Sequence, residues 1–241
     1  MIPTTLNEIR RFVVSGIVVL AITVLSIVFL DHAVALFAYH NDRIRAAIHA
    51  LLSGIPGLAK PSNEIPDFLA PLTLVITVLS WSGYFLRRRR GVFDHHTLFF
   101  KVVGTAVPLA FLGKSVTKFI FGRVNTRVWV ADPSLVDSFH WFAGGGMFNG
   151  FPSGHMAVLV PLVVALWQFY PVYRPLYGAA LTGLAAALVL TSYHFVSDVI
   201  AGGYLGLLVY CFSLKFLRPG SSCNNVWSAT TRTNVHAQIG K

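Results

Sequence analysis

Long apolar runs separated by short polar stretches set the pattern of this chain. Six runs stand out, at about 12–30, 68–86, 98–121, 153–170, 176–193 and 196–217. Each approaches the ~20 residues that a helix needs to cross the hydrocarbon core of a bilayer. They predict an all-α integral membrane bundle of six transmembrane helices. The first run follows Arg10 and Arg11, as a signal peptide would, but it lacks a small-x-small cleavage site, so a retained helix is expected. Segment 41–52 has another pattern. Ile44, Ile48, Leu51 and Leu52 share one helical face, with Asp42, Arg43 and Arg45 elsewhere. That suits either a helix lying in the membrane interface or a loop helix packed on the bundle. Residues 123–152 form the longest connection, and a loop of that length inside a bundle is usually functional. The domain division expected is a bundle over 1–218 and a polar cytoplasmic tail over 219–241.

Composition sharpens this picture. Of 241 residues, 55% are hydrophobic and 12% charged, with a mean hydropathy of +0.65. A soluble domain usually carries about twice that charged fraction. The net charge of +10 raises the question of nucleic acid. However, the basic residues sit in short clusters between apolar runs, where they set topology. No recognition helix or interleaving of aromatic with basic residues is present, so no nucleic-acid partner is expected. A cytoplasmic N-terminus puts most of the nineteen Lys and Arg residues inside, led by the run Arg87, Arg88, Arg89 and Arg90. Both termini then face the cytoplasm. Cys211 and Cys223 have no metal-ligand spacing, and a disulfide between them is not expected in a cytoplasmic tail.

In this topology several polar groups reach one outer rim. Lys118 ends the third run, and Arg123 and Arg127 follow it. Ser153, Gly154 and His155 open the fourth. His194 and Asp198 lie where the fifth hands over to the sixth. Ionisable residues at membrane depth are costly and so are functional candidates. Lysine and arginine supply fixed charge and, for arginine, a fork of donors suited to phosphate. The helix opening after Pro152 points free backbone N–H groups at the same rim. His194 and Asp198, four apart, share a helical face. Asp198 can hold one ring nitrogen of His194 and leave the other to attack, while His155 supplies a proton to a leaving oxygen. Each has a plainer reading: His155 or Asp198 as a helix cap, Lys118 as a snorkelling side chain, the arginines as loop charges.

Together these residues resemble the type 2 phosphatidic acid phosphatase superfamily. Its three motifs are Lys-x6-Arg-Pro, Pro-Ser-Gly-His and Ser-Arg-x5-His-x3-Asp. Pro152-Ser153-Gly154-His155 matches the second in full, and His194 with Asp198 matches the end of the third. The resemblance implies that His194 is the nucleophile that becomes a phosphohistidine. It implies Asp198 as the orienting carboxylate, His155 as the general acid, and Lys118, Ser153 and Gly154 as phosphate ligands. Two departures stand out. The first-motif Arg-Pro falls on Asn125 and Thr126, so either Arg123 or Arg127 has to complete the phosphate site, with Arg127 favoured as a two-residue slip. The third-motif Ser-Arg falls on Ala187 and Leu188.

The function expected is a metal-independent membrane phosphatase without cofactors, acting on a lipid-linked phosphate monoester or pyrophosphate. No metal is expected because acidic residues for a magnesium site are absent from this rim. The expected setting is a bacterial inner membrane, with the site facing the periplasm. Two alternatives remain: a lipid phosphotransferase with an alcohol acceptor, suggested by the missing third-motif arginine, and a non-catalytic lipid-binding or transport protein on a degenerate site.

Overall fold

The computed structural model describes residues 6–41, 43, 46, 47, 50, 68–132, 134, 135 and 137–217. These residues form helices and no strand, apart from one isolated bridge between Arg123 and Phe139. In chain order the elements are α1 (Leu6–Leu25), a π-helical turn (Ser26–Leu30), α2 (Asp31–His40), α3 (Leu69–Arg89), α4 (His95–Phe121), α5 (Thr126–Ala131), α6 (Gly154–Phe169), α7 (Arg174–Leu190) and α8 (Val196–Leu217).

Among the described residues, five stretches are long and apolar enough to cross a membrane: Arg10–His40, Leu69–Arg89, His95–Phe121, Pro171–Leu190 and Val196–Leu217. The chain is a multi-pass membrane protein. Two details differ from the six spans expected. The first stretch does not stop near residue 30 but runs 31 residues to His40, carrying Asp31 inside it. The fourth expected span is α6, with 16 residues. At 1.5 Å per residue it reaches about 24 Å, short of a bilayer core. It is the interior helix, packed on α4, α8 and α7. Segment 41–52 lies largely outside the described residues, as does the tail 219–241. Cys211 lies in α8, and Cys223, with which no disulfide is expected, lies outside the described residues.

The bundle is built on α4. Asp94 caps its start by accepting from the Thr97 N–H at 3.0 Å, and Gly122 ends it at φ +52. A Cβ on Gly122 would lie 2.1 Å from the His140 carbonyl oxygen, so only glycine fits this C-cap. The long loop then folds back over the helix end. His140, Phe142 and Gly144 donate to the carbonyls of Gly122, Ile120 and Phe119, which an exposed helix terminus would leave unpaired. Phe99, Val102, Val103 and Val107 of α4 meet Val158 and Ala165 of α6 and Tyr210 and Leu214 of α8 in the main core. The outward apolar side chains, Leu74, Leu79, Leu112, Phe212 and Phe216 among them, are exposed. That is the inverse of a soluble bundle and suits a lipid solvent. Gly202 and Gly206 of α8 let α6 approach closely: a Cβ there would come 2.4 Å from the Ser153 carbonyl oxygen and 2.6 Å from that of Ala157.

Candidate active site

The site forms at the end of the bundle where α4 stops and α6 and α8 begin. Ser153 caps α6 with its side chain and is fully buried. Its own N–H donates to the Asp198 carbonyl at 2.9 Å, which ties the start of α6 to the first turn of α8. His155 follows in the first turn of α6. His194 sits in the turn between α7 and α8, held by its N–H donating to the Leu188 carbonyl at 3.1 Å. The two rings stand 6.3 Å apart, centroid to centroid, at 68°. Asp198 lies behind His194, with 3.5 Å between Nδ1 and Oδ2. That is an ion-pair distance longer than a made hydrogen bond, as such pairs often are before substrate binds. Asp198 Oδ2 also accepts from the Phe195 N–H at 3.0 Å. Nδ1 of His155 and of His194 are buried without a hydrogen-bond partner. Burial lowers the proton affinity of His194, and Asp198 opposes this; the net direction is downward.

The cations flank this pair in different ways. Lys118 Nζ donates to the Asn149 carbonyl at 2.6 Å. A Cβ on Gly154 would lie 3.7 Å from Lys118 Cε and 3.4 Å from Lys114 Cδ, so both lysines border the Pro152–His155 turn. Arg127, in α5, lies over the ring of Tyr193 with Cζ 4.6 Å from its centroid. That ring is itself 5.3 Å from both His155 and His194.

Arg123 has another role. It is fully buried between three carboxylates. Nε donates to Asp137 Oδ1 at 2.9 Å. Nη1 donates to Ser197 Oγ at 2.7 Å and Asp198 Oδ1 at 2.9 Å. Nη2 donates to Asp31 Oδ2 at 2.9 Å and to Asp137 Oδ2. A guanidinium has five N–H donors, and these five bonds use them all. Of the two arginines proposed for phosphate, Arg123 therefore has no donor to offer. Burial lowers its basicity, but the bonds to Asp137 and the charges of Asp198, Asp137 and Asp31 outweigh this and hold it above its ordinary value. Burial likewise raises Asp137, while Arg123 and His32 pull it below the usual carboxylate range overall.

The premise that acidic residues are absent from this rim is corrected. Asp31 and Asp137 join Asp198 here, gathered around a guanidinium. Among the described residues, the group whose metal-ligand atoms lie within 4.8 Å of one another is Asp94, His95 and His96, at the far end of α4. There Asp94 is engaged by Arg87 and Thr97.

Sequence reasoning missed Asp31, Asp137, Ser197, Lys114 and Tyr193. Asp31 had a signal, a carboxylate inside an apolar stretch, one residue past the expected span end. Lys114 had one too, four residues before Lys118 on the same helical face. Asp137 and Ser197 had none, since their partners are remote in sequence.

The PAP2 superfamily model matches residues 99–219. The chain belongs to the PAP2 superfamily. Two curated relatives share part of this PAP2 chain. The lipid A 1-phosphatase of Rhizobium etli is 36% identical over 75 residues, 30% of this chain and 32% of that protein. The lipid A 1-phosphatase of Rhizobium johnstonii is 37% identical over 65 residues, 27% of each. The similarity thus spans about a third or less of the relatives' length. No solved structure matches the chain significantly.

Proposed function

We propose that this PAP2 protein is a metal-independent membrane phosphatase acting on a lipid-linked phosphate monoester or pyrophosphate. The observation that carries the reading is the pair of buried histidines with rings 6.3 Å apart and a carboxylate behind one of them. In the reaction, Asp198 holds the Nδ1–H of His194, and Nε2 attacks phosphorus in line with the leaving oxygen. Lys118, Arg127 and the N–H groups opening α6 after Ser153, at Gly154, stabilise the equatorial oxygens. His155 gives its proton to the departing oxygen as the P–O bond breaks. Water then attacks the phosphohistidine, His155 takes its proton, and inorganic phosphate leaves with His194 restored. Arg123 orients Asp198 and does not touch phosphate.

The partial relatives' name puts a phosphorylated lipid A among the substrates to test first. The source of the partial relatives supports a bacterial inner membrane, and the positive-inside pattern supports cytoplasmic termini and a site facing the periplasm.

The test is phosphate release by the purified protein in detergent from a panel of lipid phosphates, with chelator present. Release that survives chelation and falls by roughly 10⁴-fold or more in His194→Ala, with a large loss in His155→Ala, supports the mechanism. A protein-bound phosphate labile to acid and stable to base would identify the intermediate. Turnover that requires an added alcohol would replace hydrolysis with phosphotransfer. Unchanged release in His194→Ala would remove the histidine nucleophile.

A further inference from the structure

The first long helix carries a carboxylate that the reaction above does not use. Asp31 is 1% exposed within the long helical stretch Arg10–His40, just past its apolar run. An ionisable side chain in such a place is costly unless it has partners, and the partners indicate its purpose. Asp31 Oδ1 accepts from the Ser197 N–H at 3.0 Å. Oδ2 accepts from the Ser197 hydroxyl and from Arg123 Nη2, the latter at 2.9 Å. Arg123 Nη1 passes on to Asp198 Oδ1 at 2.9 Å, and the other Asp198 oxygen faces His194. A continuous chain of contacts therefore runs from Asp31 to the attacking histidine.

Local backbone geometry supports this aim. The π-helical turn Ser26–Leu30 immediately precedes Asp31, whose N–H donates to the Ser26 carbonyl. One residue inserted into an α-helical turn rotates the remainder of the helix by about 100°. Neutralising Arg123 does not explain Asp31, because Asp137 and Asp198 already outnumber the single guanidinium.

We propose that Asp31 is a positioning residue of the site, fixing through Arg123 and Ser197 the Asp198 carboxylate with Oδ2 toward His194. The first long helix is then part of the reaction machinery, although it lies outside the stretch that the family model matches. The inference rests on the phosphatase reading above.

The experiment uses the full chain in detergent, with the lipid phosphate that the wild type hydrolyses best. Asp31→Asn keeps the shape and turns one acceptor atom into a donor facing Arg123 or Ser197. Its kcat should fall roughly 10- to 100-fold, the usual loss when the partner behind a working group is removed. KM and the inhibition constant of inorganic phosphate should stay close to wild type, since ground-state binding is untouched. Asp31→Asn combined with Asp198→Asn should be little worse than Asp198→Asn alone, because both act through one carboxylate. Arg123→Lys keeps the charge, loses the fork, and should also be slow.

Wild-type kcat in Asp31→Asn, additive losses in the double variant, or a parallel rise in the phosphate inhibition constant would each overturn the proposal. If Asp31→Asn does not fold, Ser197→Ala removes one bridging hydroxyl and keeps every charge. A lower kcat at unchanged phosphate inhibition then supports the proposal, and a wild-type kcat overturns it. A wild type that releases no phosphate defeats the phosphatase reading itself. An active wild type, an inactive His194→Ala and an unaffected Asp31→Asn defeat only the role of Asp31.

Discussion

Each end of α4 carries an arginine–aspartate assembly, and the two share little beyond residue type. At its start, Arg87 pairs with Asp94, and both side chains are about a third exposed. At its end, Arg123 meets Asp31, Asp137 and Asp198, with side chains no more than 3% exposed. The first assembly pairs neighbours in the chain across a turn. The second joins the first long helix, the long loop and α8. Exposed pairs gain little, because water screens the charges and the side chains lose freedom. A buried pair is not a source of stability in itself, since desolvation takes back most of the attraction. Breaking one is another matter, because it leaves the remaining charge without water or partner. The buried assembly therefore acts as a geometric constraint, and it constrains Asp198, the carboxylate beside His194.

The sharpest way to break this contrast is Arg123→Met. It leaves three carboxylates buried without their cation, and destabilisation of about 3–5 kcal/mol is expected, read from thermal unfolding in detergent. A small shift there would mean that the carboxylates find water or protons readily, and the two ends of α4 would be alike. Next comes the glycine pair beside the site. Gly202→Ala places a Cβ 2.4 Å from the Ser153 carbonyl oxygen, while Gly203→Ala meets Met156 Cε at 3.7 Å and Val160 Cγ2 at 4.0 Å, both ordinary contacts. The first should cost about 1–3 kcal/mol and most phosphate release, the second neither. Equal behaviour would show that the α6–α8 approach does not hold the site.

Lys118→Ala tests the last turn of α4 itself. Losing one charge-assisted contact should weaken inhibition by inorganic phosphate roughly 10- to 100-fold. Unchanged inhibition would remove Lys118 from the phosphate site. The smallest effect is expected at the other end. The N–H of Thr97 and the Arg87 guanidinium hold Asp94 below its ordinary value of 3.8, at about 2. A depressed carboxylate contributes stability above its unfolded value and loses it as the pH falls toward the folded one. Asp94→Asn should therefore leave phosphate release unchanged, lower stability slightly at neutral pH and flatten the acid dependence of unfolding between about pH 4 and 2. A loss of activity would connect the two ends of α4.

Much of this was legible in sequence because it is local. Apolar run length marks the long helices, and Pro152-Ser153-Gly154-His155 announces a helix N-terminus beside a histidine. The spacing of His194 and Asp198 predicts a shared helical face, but His194 lies in the turn before α8, and its N–H donating to the Leu188 carbonyl helps hold the ring beside Asp198. The bounds of α6 fall within the expected run 153–170, and its short length is tolerable because an interior helix shielded by protein need not match the bilayer as an outer one must.

The sequence by itself determined an apolar helical bundle with two histidines, a carboxylate and basic residues at one rim. Each of those statements rests on periodicity or on contacts within a turn or two. Only the tertiary structure decided that Arg123 has no donor left for phosphate. Arg123 and Arg127 are four residues apart, and sequence alone leaves both open. They differ because Asp31 and Asp198, 92 and 75 residues from Arg123, converge on one of them. The folded bundle brings those carboxylates to a single buried point, where a charge has to be matched by its neighbours because no water can reach it.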